Sequence, residues 1–134
     1  MPFVLTKLNH FTITAPSGHM DKARWFYGEL LGLTEIPIPK DLQAHYELLW
    51  FKMLDFLLHI EFTKNFVRPD AHLHGVETPH HIGIEIKNLS ATRKELEAKG
   101  AQTRDAVILS DRERFYLIDP FGNCLEIIEF HKKI

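Results

Sequence analysis

The chain has 134 residues, 45% of them hydrophobic and 25% charged, with a formal charge of −2. That is one domain's worth of chain, with no net positive field to collect phosphate backbones or anionic lipid, so binding to nucleic acid or a membrane surface through bulk charge is excluded. One cysteine cannot form an internal disulfide and the opening MPFVLTKLNHF lacks a long apolar stretch, so a reduced, cytoplasmic protein is expected. Nine histidines beside that single cysteine are the unusual entry in this composition.

In chain order, residues 8–15 alternate like a half-buried strand, with Phe11, Ile13 and Ala15 on one side and His10, Thr12 and Thr14 on the other. After a Pro16-Ser17-Gly18 turn, Ala23, Phe26, Tyr27, Leu30 and Leu31 recur at helical spacing, and Gly32 suits a helix end. Strand-like runs follow at Glu47–Met53 and Phe56–Phe62. Residues 63–79 show little periodicity and read as a linker or a loop over a site. A second strand with one apolar face holds Ile82, Ile84 and Ile86. A helix over 90–99 is expected next, capped by Asn88 or Ser90 and ended by Gly100. Runs at Val107–Leu109, Phe115–Ile118 and Cys124–Phe130 complete the chain, the last two joined by a turn over Asp119-Pro120-Phe121-Gly122-Asn123. Each half therefore reads as βαβββ, an α+β chain of two modules spanning about 5–64 and 78–131 within one domain.

Strand parity selects the polar residues. His59 and Glu61 oppose Leu58, Ile60 and Phe62, while Glu126 and Cys124 oppose Leu125 and Ile127. The first and last strands of the two halves thus put His10, His59, His81 and Glu126 on the faces away from their helices. Three imidazoles and a carboxylate suit a borderline divalent cation such as Zn²⁺, Ni²⁺, Mn²⁺ or Fe²⁺, and the absence of thiolate pairs leaves a nitrogen and oxygen shell. His80 rivals His81, because a slip of one residue exchanges them. The remaining histidines, His19, His45, His72, His74 and His131, read as surface or loop residues. Glu61 and Glu85 share faces with His59 and His81; Glu61 ranks first as a catalytic base, and Glu126 is the second catalytic carboxylate. Arg114, with Arg112 beside it, could receive a substrate carboxylate or phosphate. Trp50 and Phe51 point to opposite faces, one toward a cleft and one toward the core. Cys124 reads as a small buried filler.

The segments LNHFTITA, ARWFYGELLGL, LLHIEF, PHHIGIEI and RFYLIDPFGNCLEIIE occur in an order that resembles the vicinal oxygen chelate group, the glyoxalase, bleomycin-resistance and extradiol-dioxygenase proteins. Most specific are the FYxxxLGL helix end and the DPxGNxxE hairpin. The resemblance implies two βαβββ modules forming an incomplete barrel around one divalent metal, with His10, His81 and Glu126 in the ligand positions. The fourth position, often Glu or Gln in relatives, falls on His59. It further implies a lyase or isomerase that chelates two neighbouring oxygens of a small substrate and stabilises an enediolate, and a homodimer. Two alternatives accompany it. One is an iron-dependent extradiol-type dioxygenase built on His10, His81 and Glu126; the other is a binding or resistance protein that sequesters a small molecule without turnover.

Overall fold

The computed structural model describes residues 2–69 and 80–131, and the chain divides into two compact units, residues 1–66 and 67–134. Most of the expected loop over 63–79, with its His72 and His74, lies outside the described residues.

The first unit runs β1 (His10–Pro16), α1 (Met20–Ala23) continued by a π-helical segment (Arg24–Leu30), β2 (Thr34–Ile36), a short α2 (Lys40–Gln43), β3 (Glu47–Met53) and β4 (Phe56–Thr63). Its sheet has the order β1-β4-β3-β2, with β1 parallel to β4 and the other pairs antiparallel. The second unit runs β5 (Ile82–Glu85), α3 (Leu89–Ala98), β6 (Gln102–Asp105), β7 (Arg112–Ile118) and β8 (Cys124–Phe130), in the matching order β5-β8-β7-β6 with β5 parallel to β8. Both units are the βαβββ modules expected from the sequence.

Each sheet buries the face that carries its apolar parity. In the first module, Ile13, Ala15, Leu49, Phe51, Leu58, Ile60 and Phe62 are buried together with Ala23, Phe26 and Tyr27 of the helical segment. Phe26 and Tyr27 are adjacent in sequence, yet both are fully buried. The wider π turn, visible in the bond from the Leu31 N–H to the Phe26 carbonyl, brings consecutive residues nearer to one face than an α-helix does. In the second module, Phe115, Leu117, Leu125 and Ile127 are buried, as are Leu89 and Leu96 of α3.

Three expectations change. β2 is a strand of three residues with Thr34 and Glu35 exposed, too short and polar for its pattern to stand out. β6 is the polar run Gln102–Asp105, whereas Val107, Ile108 and Leu109 form a loop outside the sheet, 73%, 94% and 38% exposed. An edge strand carries polar residues on both faces without penalty, and here Arg93 of α3 secures it through Thr103 and Asp105. Finally, neither Asn88 nor Ser90 caps α3 with its side chain. Asn88 is left-handed (φ 57°), and the Glu129 carboxylate of β8 accepts the Asn88 and Leu89 N–H groups at 3.0 and 2.9 Å. Glu47 does comparable work ahead of α1, accepting the Ser17 hydroxyl and the Gly18 N–H.

The β7–β8 turn is held from within. The buried Asp119 carboxylate accepts the N–H groups of Phe121 and Asn123, each at 2.8 Å, and the Asn123 side-chain amide at 2.9 Å, while Gly122 supplies the positive φ of 88°. Asp119→Ala leaves those buried donors without their acceptor. The expected cost is about 3 kcal/mol of folding free energy, read as a lower urea midpoint at unchanged slope.

Candidate metal and substrate site

In the first module, the face opposite the core carries His10, Thr12 and Thr14 of β1, His59 and Glu61 of β4, and Leu48 and Trp50 of β3, as their cross-strand register requires. Trp50 lies directly across from His59 and stacks on it, with ring centroids 4.2 Å apart and planes 6° from parallel. His10 stacks at 3.9 Å and 10°. The result is a pile of flat rings whose members come from three adjacent strands. The sequence expectation for Trp50 and Phe51 resolves accordingly: Phe51 is core and Trp50 faces away from it.

Two nitrogens of that stack, Trp50 Nε1 and His59 Nε2, are buried and have no hydrogen-bond partner among the described residues. Burial, and secondarily the neighbouring His10, pushes the His59 pKa down from 6.5 to about 4. His59 is therefore a neutral imidazole at pH 7, with a lone pair to offer. His10, at the exposed start of β1, bonds through Nδ1 to the Asn9 side-chain oxygen at 2.8 Å. Glu61 lies two residues beyond His59 on the same face, opposite Leu48 and level with Thr14.

In the second module, His81 immediately precedes β5 and its Nε2 lies 2.9 Å from Glu126 Oε1. Its rival His80 is exposed, whereas His81 is half-buried. Glu126 Oε2 accepts from Arg114 Nη1 at 3.2 Å, and Arg114 Nη2 donates to the Val107 carbonyl at 2.8 Å. Tyr116, opposite Glu126 across the hairpin, meets the His81 ring edge-on at 6.0 Å. Arg114, expected to receive a substrate carboxylate, thus has both terminal nitrogens directed at groups of its own module. Its side chain is only 8% exposed. Cys124 is buried and its thiol is pushed up to about 11, chiefly by that burial, so it stays an unreactive thiol, as the sequence suggested.

The donor set can be tested against a metal. Two ligands at bonds of about 2.1 Å and a right angle put their donor atoms about 3.0 Å apart. The 2.9 Å separation of His81 Nε2 and Glu126 Oε1 matches that spacing. His10 and His59 do not converge as they stand, because lone pairs in two nearly parallel ring planes cannot meet at one ion; one ring has to turn, and the exposed His10 has the room. Among the described residues no three His, Cys, Asp or Glu side chains are gathered around one point. The donors are of the kinds that hold a divalent cation, and His81 Nε2 and Glu126 Oε1 are hydrogen-bonded at a distance that two such ligands would also have.

The pairings of Trp50 with His59 and of Arg114 with Glu126 were not anticipated. Counting outward from the Asp119–Asn123 turn, Ile118 meets Cys124 and Tyr116 meets Glu126, which brings Arg114 onto the same face. That signal was available once the turn was fixed.

The chain matches the family described as Glyoxalase/Bleomycin resistance protein/Dioxygenase superfamily over residues 9–113, and it belongs to that superfamily. Among solved structures, it resembles a glyoxalase family protein from Bacillus anthracis at 30% identity, with a TM-score of 0.83 over 98% of this chain and 100% of the other. A glyoxalase/dioxygenase from Nostoc punctiforme shares 20% identity, with a TM-score of 0.75 over 97% and 98%. TnmS3, an antibiotic binding protein from Streptomyces sp. CB03234, shares 16%, with a TM-score of 0.71 over 96% and 99%. The last two likenesses are of fold. No curated protein matches the chain. No helix among the described residues is long and apolar enough to cross a membrane.

Burial of His59 has a measurable consequence in the metal-free protein. The unfolded chain protonates near pH 6.5 and the folded one near 4, so between those values the unfolded state binds more protons. The contribution is fully present above about pH 6.5 and is lost as pH falls toward 4. His59→Phe keeps a ring against Trp50 and removes the titration. Urea midpoints of the wild type should drop more between pH 7 and pH 5 than those of the variant, and parallel curves would refute the assignment.

Proposed function

We propose that this protein is a metal-dependent lyase or isomerase of the glyoxalase type, acting on a small molecule with two neighbouring oxygens. The observation that carries the reading is the His81–Glu126 pair, whose donor atoms are spaced like adjacent ligands of one ion. Its ligands are His10, His59, His81 and Glu126, and the ion is Zn²⁺, Ni²⁺, Mn²⁺ or Fe²⁺. When bound, such an ion would supply Lewis acidity toward the two substrate oxygens.

The remaining work falls to the chain. In the metal-free protein the close approach of His81 Nε2 to Glu126 Oε1 is a hydrogen bond, which ligation of an ion by both residues would replace. His59, already neutral, needs no deprotonation. Glu61 is the base that accepts a substrate proton, and its location on the His59 face supports that role. The Trp50 indole N–H, which has no acceptor among the described residues, donates to a substrate oxygen.

Elemental analysis of the purified full chain after reconstitution tests the reading. About one divalent ion per chain is expected, with loss of that ion in His10→Ala and Glu126→Ala. Retention of full metal by both variants sinks the ligand set. Glu61→Gln should keep its metal while lowering turnover by about 10²-fold or more. Oxygen consumption with catechols after anaerobic iron loading would instead favour the dioxygenase. A second reading, a small-molecule binder without turnover, is supported by the fold likeness to the antibiotic binding protein TnmS3 and by the flat ring stack around Trp50. Ligand binding at equilibrium by a protein that takes up no metal distinguishes it.

A further inference from the structure

Arg114 touches three things at once. Nη1 donates to Glu126 Oε2, Nη2 donates to the Val107 carbonyl, and the side chain forms part of the wall of a cavity of about 640 Å³ between α3 and the 106–109 loop. At 8% exposure the guanidinium is withdrawn from water, and a buried cation of this kind is stabilised by the acceptors it faces. Glu126, at 14% exposure, stands in the reciprocal position: one oxygen is used by His81 and the other by Arg114. The carboxylate is therefore gripped at both oxygens and cannot rotate without breaking a bond to a nearly buried partner.

On its other side Arg114 anchors a loop that strand pairing does not hold and that packs on the sheet through Ala106, against Tyr116, Ile118 and Cys124. Residues 106–109 follow β6 but take no part in its pairing with β7, and Val107 and Ile108 are exposed to solvent. A rigid, planar guanidinium with separate donors for the carboxylate and the carbonyl fixes the distance between them; a lysine ammonium on a flexible stem does not. We infer that Arg114 is a positioning residue: a strut that holds the Glu126 carboxylate in its ligating orientation and ties it to the backbone of the apolar 106–109 loop, so that displacement of the loop is felt at Glu126. The metal-affinity consequence rests on the function proposed above; the mechanical link does not.

The test uses the full chain with Arg114→Gln and Arg114→Lys. Metal affinity, measured by competition with a chromogenic chelator, should weaken by about 10- to 100-fold in Arg114→Gln, the size of effect that removing a ligand's supporting partner produces. Arg114→Lys retains the charge but reaches one acceptor, so it should restore the affinity only in part. Amide hydrogen exchange over 106–109 should accelerate in both variants while α3 stays protected. In a double-mutant cycle, Arg114→Gln and Glu126→Gln should be non-additive in their urea midpoints, because each removes the same contact. If the wild type takes up no metal, the functional reading fails and the strut is judged by the cycle and the exchange alone. Additive midpoints, or unchanged exchange over 106–109, overturn the strut; unchanged metal affinity in a folded Arg114→Gln overturns its role in positioning the ligand.

Discussion

A β-strand alternates its side chains, and that constraint governs everything else in this chain. Because Leu58, Ile60 and Phe62 must be buried against the helical layer, His59 and Glu61 are obliged to face away from it. The same obligation in β8, where Leu125 and Ile127 enter the core, delivers Glu126 to the opposite face. Burial of aliphatic groups supplies the free energy, and the polar positions are fixed as its by-product. A slip of one residue in β4 or β8 would exchange the core and the site together, so folding in the correct register and assembling the polar face are one event.

The polar face is then refined by contacts that parity alone does not dictate. In the first module flat rings lie on one another, and desolvation keeps His59 neutral where an exposed imidazole would be partly protonated near pH 6.5. The second module uses charge instead, with a carboxylate between an imidazole and a guanidinium. The two βαβββ units share topology but prepare their polar groups by different physics, one by stacking and burial and the other by charge-assisted hydrogen bonding.

Much of this was legible in the sequence, and what was not has identifiable causes. Long alternating runs such as Leu58–Phe62 and the Asp119–Asn123 turn declared themselves, because hydrophobic period and turn chemistry agree there. β6 was hidden because an edge strand needs no apolar face, and Val107–Leu109 mimicked a strand because apolar composition says nothing about whether a partner strand lies alongside. The cap on α3 was invisible because Glu129 lies forty residues from the helix it serves. The Arg114–Glu126 pair depended on register across the hairpin, which follows from the turn rather than from either residue.

The π-helical segment Arg24–Leu30 carries a consequence for how the chain tolerates change in length. A wider turn fits more residues between the same two endpoints than an α-helix, so this stretch holds slack that the strands of the first module lack. Losing a residue from one of its strands would shift register and turn the core outward. Within Arg24–Leu30, a lost residue tightens the coil toward an ordinary α-helix while the strands on either side keep their places. Variation in chain length among proteins built on this module is therefore absorbed more readily in its helix than in its sheet.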